Sequence, residues 1–135
     1  MEGNLIGLNL PDVENVETIR ECSLIHSVSG SISCINTAPI KNTPEGFYVI
    51  ICDNVGFVHI LKGSKDQISS YHLMMSIKAC SSEIWSMSIN PFIDVLPETQ
   101  FLNNIVLSNE DQVLQVYQFQ ESVQTFDMVT QKNKV

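Results

Sequence analysis

Apolar residues in this chain fall in short alternating runs separated by Gly, Pro, Asn, Asp and Ser. That is the rhythm of strands and turns rather than of helices. Residues 4–8 form a short strand candidate that Pro11 and Asp12 break. Val13, Val16 and Ile19 are spaced only roughly as in a helix, which leaves a loop or one or two helical turns there. Residues 22–28 alternate as a strand, and Ser29-Gly30 is a turn. Ile32, then Cys34 or Ile35, with the small residues between them, suit a narrow buried strand, and 41–46 (K-N-T-P-E-G) read as a loop. Residues 47–52 are almost continuously apolar, so both faces of that strand should be covered. Asp53-Asn54-Val55-Gly56 is a turn with Gly56 free to take positive φ. Residues 57–61 alternate around His59, 62–69 read as a polar loop, and Tyr71, Leu73, Met75 and Ile77 recur at period two as one half-buried face.

The pattern then repeats. Ile84, Met87 and Ile89 make a strand that carries the single Trp85 and ends at Asn90-Pro91, and 92–103 read as a longer loop. Residues 104–108 and 113–119 pair across a turn at Asn109-Glu110-Asp111-Gln112, residues 122–129 suggest one more strand, and 131–135 read as a frayed polar end. Ile32 superimposes on Ile84 and Pro39 on Pro91, each 52 residues apart. Asp53 superimposes on Asn109 and Phe57 on Val113, each 56 apart, so four extra residues lie in the loop after Pro91. A unit of about 40–50 residues holding four strands is the signature of a β-propeller blade. The expected fold is all-β, with about two to two-and-a-half four-stranded antiparallel blades. Residues 1–29 would carry the last strand of a preceding partial blade, 30–79 a first blade, 80–129 a second, and 130–135 a polar tail. Closed propellers have about four to eight blades, so this number predicts a fragment, a ring-forming oligomer, or an insert into a partner's incomplete propeller.

Composition narrows the chemistry. Seven basic residues face fifteen acidic ones, for a net charge of −8, which disfavours direct binding of nucleic-acid backbones. The 44% hydrophobic content is enough for a core. The start of the chain has no basic segment followed by an apolar one, no N-x-[ST] sequon occurs, and no apolar run could span a bilayer. These features predict a cytoplasmic or nuclear protein with reduced thiols and no membrane contact.

The segment S-E-I-W-S-M-S-I-N-P followed by I-V-L-S-N-E-D-Q-V-L-Q-V-Y resembles a WD-repeat (WD40-type) blade. It departs from the full motif. No Gly-His precedes the inner strand, and Tyr117-Gln118 or Leu61-Lys62 stands at the Trp-Asp position. The hydrogen-bonded network those residues build in the family therefore lacks its usual members. Residues 48–61, 84–91 and 105–117 also resemble, in order, the propeller of the fungal WD-repeat regulators of ribonucleotide reductase gene transcription. That resemblance covers about half the chain. It implies transcription regulation and a nuclear or cytosolic adaptor in nucleotide-pool and DNA-damage responses, acting through a ubiquitin-ligase adaptor or the rest of a propeller.

No catalytic, cofactor or metal site is expected. Cys22, Cys34, Cys52 and Cys80 form no C-x-x-C pair or zinc spacing, and Cys52 and His59, on strands flanking the first turn, are the closest Cys–His pair. Nothing brings a histidine and an orienting acid to Cys80, and there is no phosphate-binding glycine loop. Glu110-Asp111 reads as a solvated turn. Trp85 reads first as packing between blades and second as a partner anchor. Asn54, Asn90 and Glu110 join it as candidate partner-contact residues because they stand in loops at strand ends. The expected function is a non-catalytic protein–protein scaffold. The alternatives are a structural blade insert or, last, an enzyme with a Cys/His site.

Overall fold

The computed structural model describes residues 3–9, 21–40, 43–90, 104–120 and 125–133. Among them every strand pairing is antiparallel, and three sheets follow one another along the chain. A hairpin joins β1 (Gly3–Asn9) to β2 (Glu21–Val28). Sheet 1 is a meander of β3 (Ile32–Ile40), β4 (Thr43–Asp53), β5 (Phe57–Ser64) and β6 (Gln67–Lys78), paired in that order. Sheet 2 repeats it with β7 (Ile84–Asn90), β8 (Asn104–Asn109), β9 (Val113–Gln120) and β10 (Thr125–Asn133). The fold is all-β, as the alternation predicted, with two four-stranded sheets and a two-stranded one. No helix among the described residues is long and apolar enough to cross a membrane.

The three sheets stack in chain order, with β2 beside β6 and β3 beside β7. Sheet 1 lies in the middle, so β4 is buried on both faces, as its unbroken apolar run requires. One face of sheet 1, with Val49, Ile51 and Leu61, packs under the hairpin against Val28, Leu5 and Ile25. The other, with Tyr48, Ile50, Cys52, Val58 and Ile60, packs against Ile84, Ile105 and Leu107 of sheet 2. These six residues of the second seam that are aliphatic and fully enclosed (Ile50, Val58, Ile60, Ile84, Ile105, Leu107) are each 0% exposed. Each such side chain contributes about 1.5–3 kcal/mol relative to exposure.

The repeat extends to which face each residue occupies. Ile105 and Leu107 of β8 stand where Val49 and Ile51 stand in β4, and both pairs point toward the preceding sheet. The opposite face of sheet 2 holds Val106, Leu114 and Val116, at the positions of Ile50, Val58 and Ile60. In sheet 1 those positions are covered by the next sheet, whereas in sheet 2 Leu114 is 47% exposed.

Several segments differ from the pattern. The expected loops at 41–46 and 62–69 are mostly strand: β4 starts at Thr43, β5 runs to Ser64 and β6 starts at Gln67. Pro39 remains within β3 because β3 is an edge strand, where a missing N–H costs no ladder bond. Ser64 and Ser70 tie the second hairpin with side-chain hydrogen bonds, which polarity alone does not reveal. The single period-two face expected of Tyr71, Leu73, Met75 and Ile77 is split by a register shift: Ile60 pairs with Met75 but Leu61 pairs with Leu73. The extra residue reverses the alternation, so Tyr71 joins the hairpin side while Met75 and Ile77 join the sheet 2 side. β10 runs to Asn133, paired with Val113, where a frayed end was expected. The loop or helical turns expected at 12–21 and the longer loop at 92–103 lie outside the described residues, apart from Glu21 in β2.

Candidate functional site

Among the described residues, the most concentrated polar chemistry sits at the β4–β5 turn. Asp53 ends β4 and is 1% exposed. Its Oδ1 accepts the backbone N–H groups of Val55, Gly56 and Phe57 at 3.0, 2.9 and 2.9 Å. The Asx geometry closes the turn, and Gly56 takes φ 106°, a conformation glycine adopts without strain. A Cβ at Gly56 would run into the carbonyl oxygen of Cys80. Burial alone would raise the Asp53 pKa, but hydrogen bonds from His59 and from the Phe57 and Val55 N–H groups outweigh it and leave the carboxyl below its ordinary value.

The second carboxylate oxygen, Oδ2, lies 3.0 Å from Nε2 of His59. An ionised carboxylate only accepts, so Nε2 carries a proton. Nδ1 of His59 lies 2.7 Å from Oγ of Ser76, whose hydroxyl donates when the ring is neutral. His59 is thus engaged at both nitrogens and is no free metal ligand. His26 of β2 covers it, with ring centroids 5.1 Å apart. The buried Nε2 of His26 has no hydrogen-bond partner. Burial, and then the neighbouring His59, hold the His26 pKa below its usual value.

Sheet 2 places amide residues at the equivalent positions and keeps part of this network. Asn109 takes the place of Asp53, and its Oδ1 accepts the N–H of Val113 at 3.2 Å. Gln112 takes the place of Gly56 with φ 62°. Gln115 takes the place of His59, is buried, and donates from Nε2 to Oε1 of Gln131 at 3.1 Å. Gln131 pairs with Gln115 as Ser76 pairs with His59. Each turn is also fastened to the residue just before its own sheet. The Asn54 N–H donates to the Ser31 carbonyl at 3.0 Å, and the Glu110 N–H donates to the Glu83 carbonyl at 2.9 Å. In sheet 1 the Ser31 N–H adds a bond to Asn54 Oδ1 at 2.9 Å.

An Asp–His–Ser line invites comparison with a nucleophilic triad, in which a histidine takes the serine proton and an acid orients the ring. The twin argues for another role. Asn109, Gln115 and Gln131 fill the same positions with amides that neither attack nor act as bases, yet the turn bond from the Val113 N–H and the cross-strand bond from Gln115 to Gln131 remain, while Gln115 Oε1 accepts from Cys80. The shared property is satisfaction of buried turn and strand groups.

The other expected groupings separate. Cys52 and His59 do not share a site: Ile51 pairs with His59 while Cys52 pairs with Val58, so the two side chains leave opposite faces of sheet 1. Cys52 faces sheet 2, with Sγ 3.7 Å from Sδ of Met87. Cys80 donates from Sγ to Oε1 of Gln115 at 2.9 Å, and burial chiefly raises its pKa, the reverse of an activated nucleophile. Among the candidate contact residues, Asn54 and Glu110 are exposed at equivalent turn positions. Trp85 lies near Glu110, inside a register irregularity between Ile84 and Ser86, and is 56% exposed. The reading of Trp85 as packing between blades is thereby corrected, because the irregularity sets it outside the seam that Ile84 enters. Asn90 lies at the other end of β7, paired with Asn104, so the four do not form one patch. Sequence reasoning missed the Asp53–His59–Ser76 line because Ser76 is 23 residues beyond Asp53 and gives no local signal. No protein-family model matches the chain, and no curated protein matches it in sequence.

Proposed function

We propose that this chain is a non-catalytic protein–protein interaction module, a partial WD40-like propeller whose open face docks a further four-stranded sheet of a partner. The observation that supports this reading is the face of sheet 2. Val106, Leu114 and Val116 occupy the positions that, in sheet 1, are buried by the next sheet. Exposed apolar faces of this kind mark interaction surfaces. Trp85 and Glu110 stand at its turn end as candidate anchors. A sheet that completes a partner's propeller is the structural form of the same reading. The resemblance to the fungal regulators extends it to an intracellular adaptor in nucleotide-pool and DNA-damage responses.

Size-exclusion chromatography with light scattering on the purified chain tests the reading. Self-association, or a stoichiometric complex with one partner, that Leu114→Glu abolishes supports it. A monodisperse monomer whose behaviour Leu114→Glu leaves unchanged, and which takes no partner from cell extract, overturns it. A second reading, a hydrolase, is favoured by the Ser76–His59 contact of 2.7 Å. A fluorophosphonate probe that labels Ser76, and loses it in His59→Gln, would establish that reading. The scaffold reading expects no labelling.

A further inference from the structure

The seam between the two four-stranded sheets holds three sulfur atoms that neither the turn chemistry nor the docking face uses. Cys34 and Cys52 are directly opposed partners on β3 and β4. Opposed residues of an antiparallel pair project to the same face with their Cβ atoms about 4.5–5.5 Å apart. That face is the one covered by sheet 2, where Met87 of β7 brings its Sδ to 3.7 Å from Cys52 Sγ. Cys52 is 0% exposed, whereas Cys34 is half-buried and offers a way in.

We propose that Cys34, Cys52 and Met87 form a binding site for a soft monovalent metal ion, Cu(I). Thiolate and thioether donors select Cu(I) over harder ions. Metal–thiolate bonds of about 2.3 Å in a trigonal arrangement set the sulfurs about 4.0 Å apart, close to the Cys52–Met87 spacing. A four-donor zinc site is not offered: among the described residues no group of three or more His, Cys, Asp or Glu is placed to hold a metal. Binding forms two copper–thiolate bonds and one copper–thioether bond, releases the remaining thiol protons to solvent, and leaves copper monovalent.

The test is competition for Cu(I) between the full reduced chain and bicinchoninate, without oxygen, with thiolate-to-copper charge-transfer absorption as a second readout. One Cu(I) should leave the chelator per chain. Cys34→Ser and Met87→Leu should each weaken binding by at least the roughly tenfold that even an outer-sphere change costs a metal site. Cys22→Ser and Cys80→Ser should bind as the parent does. Met87→Leu keeps an apolar side chain of similar size, so it decides the matter if Cys34→Ser does not fold. No withdrawal of copper, undiminished binding in Met87→Leu, or binding lost in Cys22→Ser or Cys80→Ser would overturn the site.

Discussion

Asp53 gathers four hydrogen bonds on one carboxylate, three from backbone N–H groups and one from His59. Asp53→Ala should cost about 3–5 kcal/mol in urea melts, since it strands those donors and a buried imidazole. Asp53→Asn should cost less, about 1–2 kcal/mol, because Asn109 closes the sister turn with an amide. The same groups set the response to acid. The His26 pKa is lowered in the fold, so below its ordinary 6.5 the unfolded chain takes up a proton the folded chain refuses, and stability falls with pH. The Asp53 pKa is also lowered, which removes more stability as pH falls below the ordinary 3.8 toward the folded value. Thermal melts from neutral pH downward should show both declines, and His26→Phe should remove the first while leaving the second.

At the level of the elements, the two turns differ at one conformational point. Gly56 holds φ 106° without a side chain, while Gln112 holds φ 62° with one. A non-glycine residue there costs on the order of 1–3 kcal/mol. Gln112→Gly should therefore stabilise the chain by about 1 kcal/mol, after the entropy glycine adds to the unfolded state. Gly56→Ala should destabilise it by about 3 kcal/mol or more, from lost left-handed freedom and collision with Cys80. Chemical denaturation of the two variants checks both signs. The strands, both turns and the register of the repeat were legible in the sequence, because alternation and turn residues are local. The face on which His59 meets Ser76 was not, because it depends on pairing β5 with β6 across the shift near Leu73. Nor did composition reveal that Thr43, Ser64 and Gln67 extend strands: their backbone pairing and the Ser64–Ser70 bonds outweigh polar side chains that face solvent. The sulfur cluster needed both the Cys34–Cys52 register and the neighbouring sheet, and residues 34, 52 and 87 carry no motif spacing.

At the scale of the whole molecule, the described residues form a stack in which both four-stranded sheets present the same side to the sheet before them. In the reading proposed above, the exposed side of sheet 2 is where a partner's sheet would sit. Leu114→Glu, on that side, should cost little stability, within about 0.5 kcal/mol as surface changes do, yet abolish association in the chromatography described above. Between the sheets, residues 79–83 are held at several points. The Ala79 and Cys80 N–H groups donate to the Gly56 carbonyl, the Glu83 carbonyl accepts from Glu110, and the Tyr117 hydroxyl donates to the Ala79 carbonyl at 2.7 Å. A protease must draw a segment of extended chain into its cleft, and this connector cannot be lifted without breaking bonds to the turns of both sheets. Ser81-Ser82, just past the expected boundary between the repeats at 79/80, should resist limited digestion until the chain opens as a whole. Tyr117→Phe should speed cleavage there, read by mass spectrometry of the first fragments. Equal rates for that variant and the parent would mean that the connector opens on its own. Dividing the chain at this connector would leave each half with a torn apolar seam.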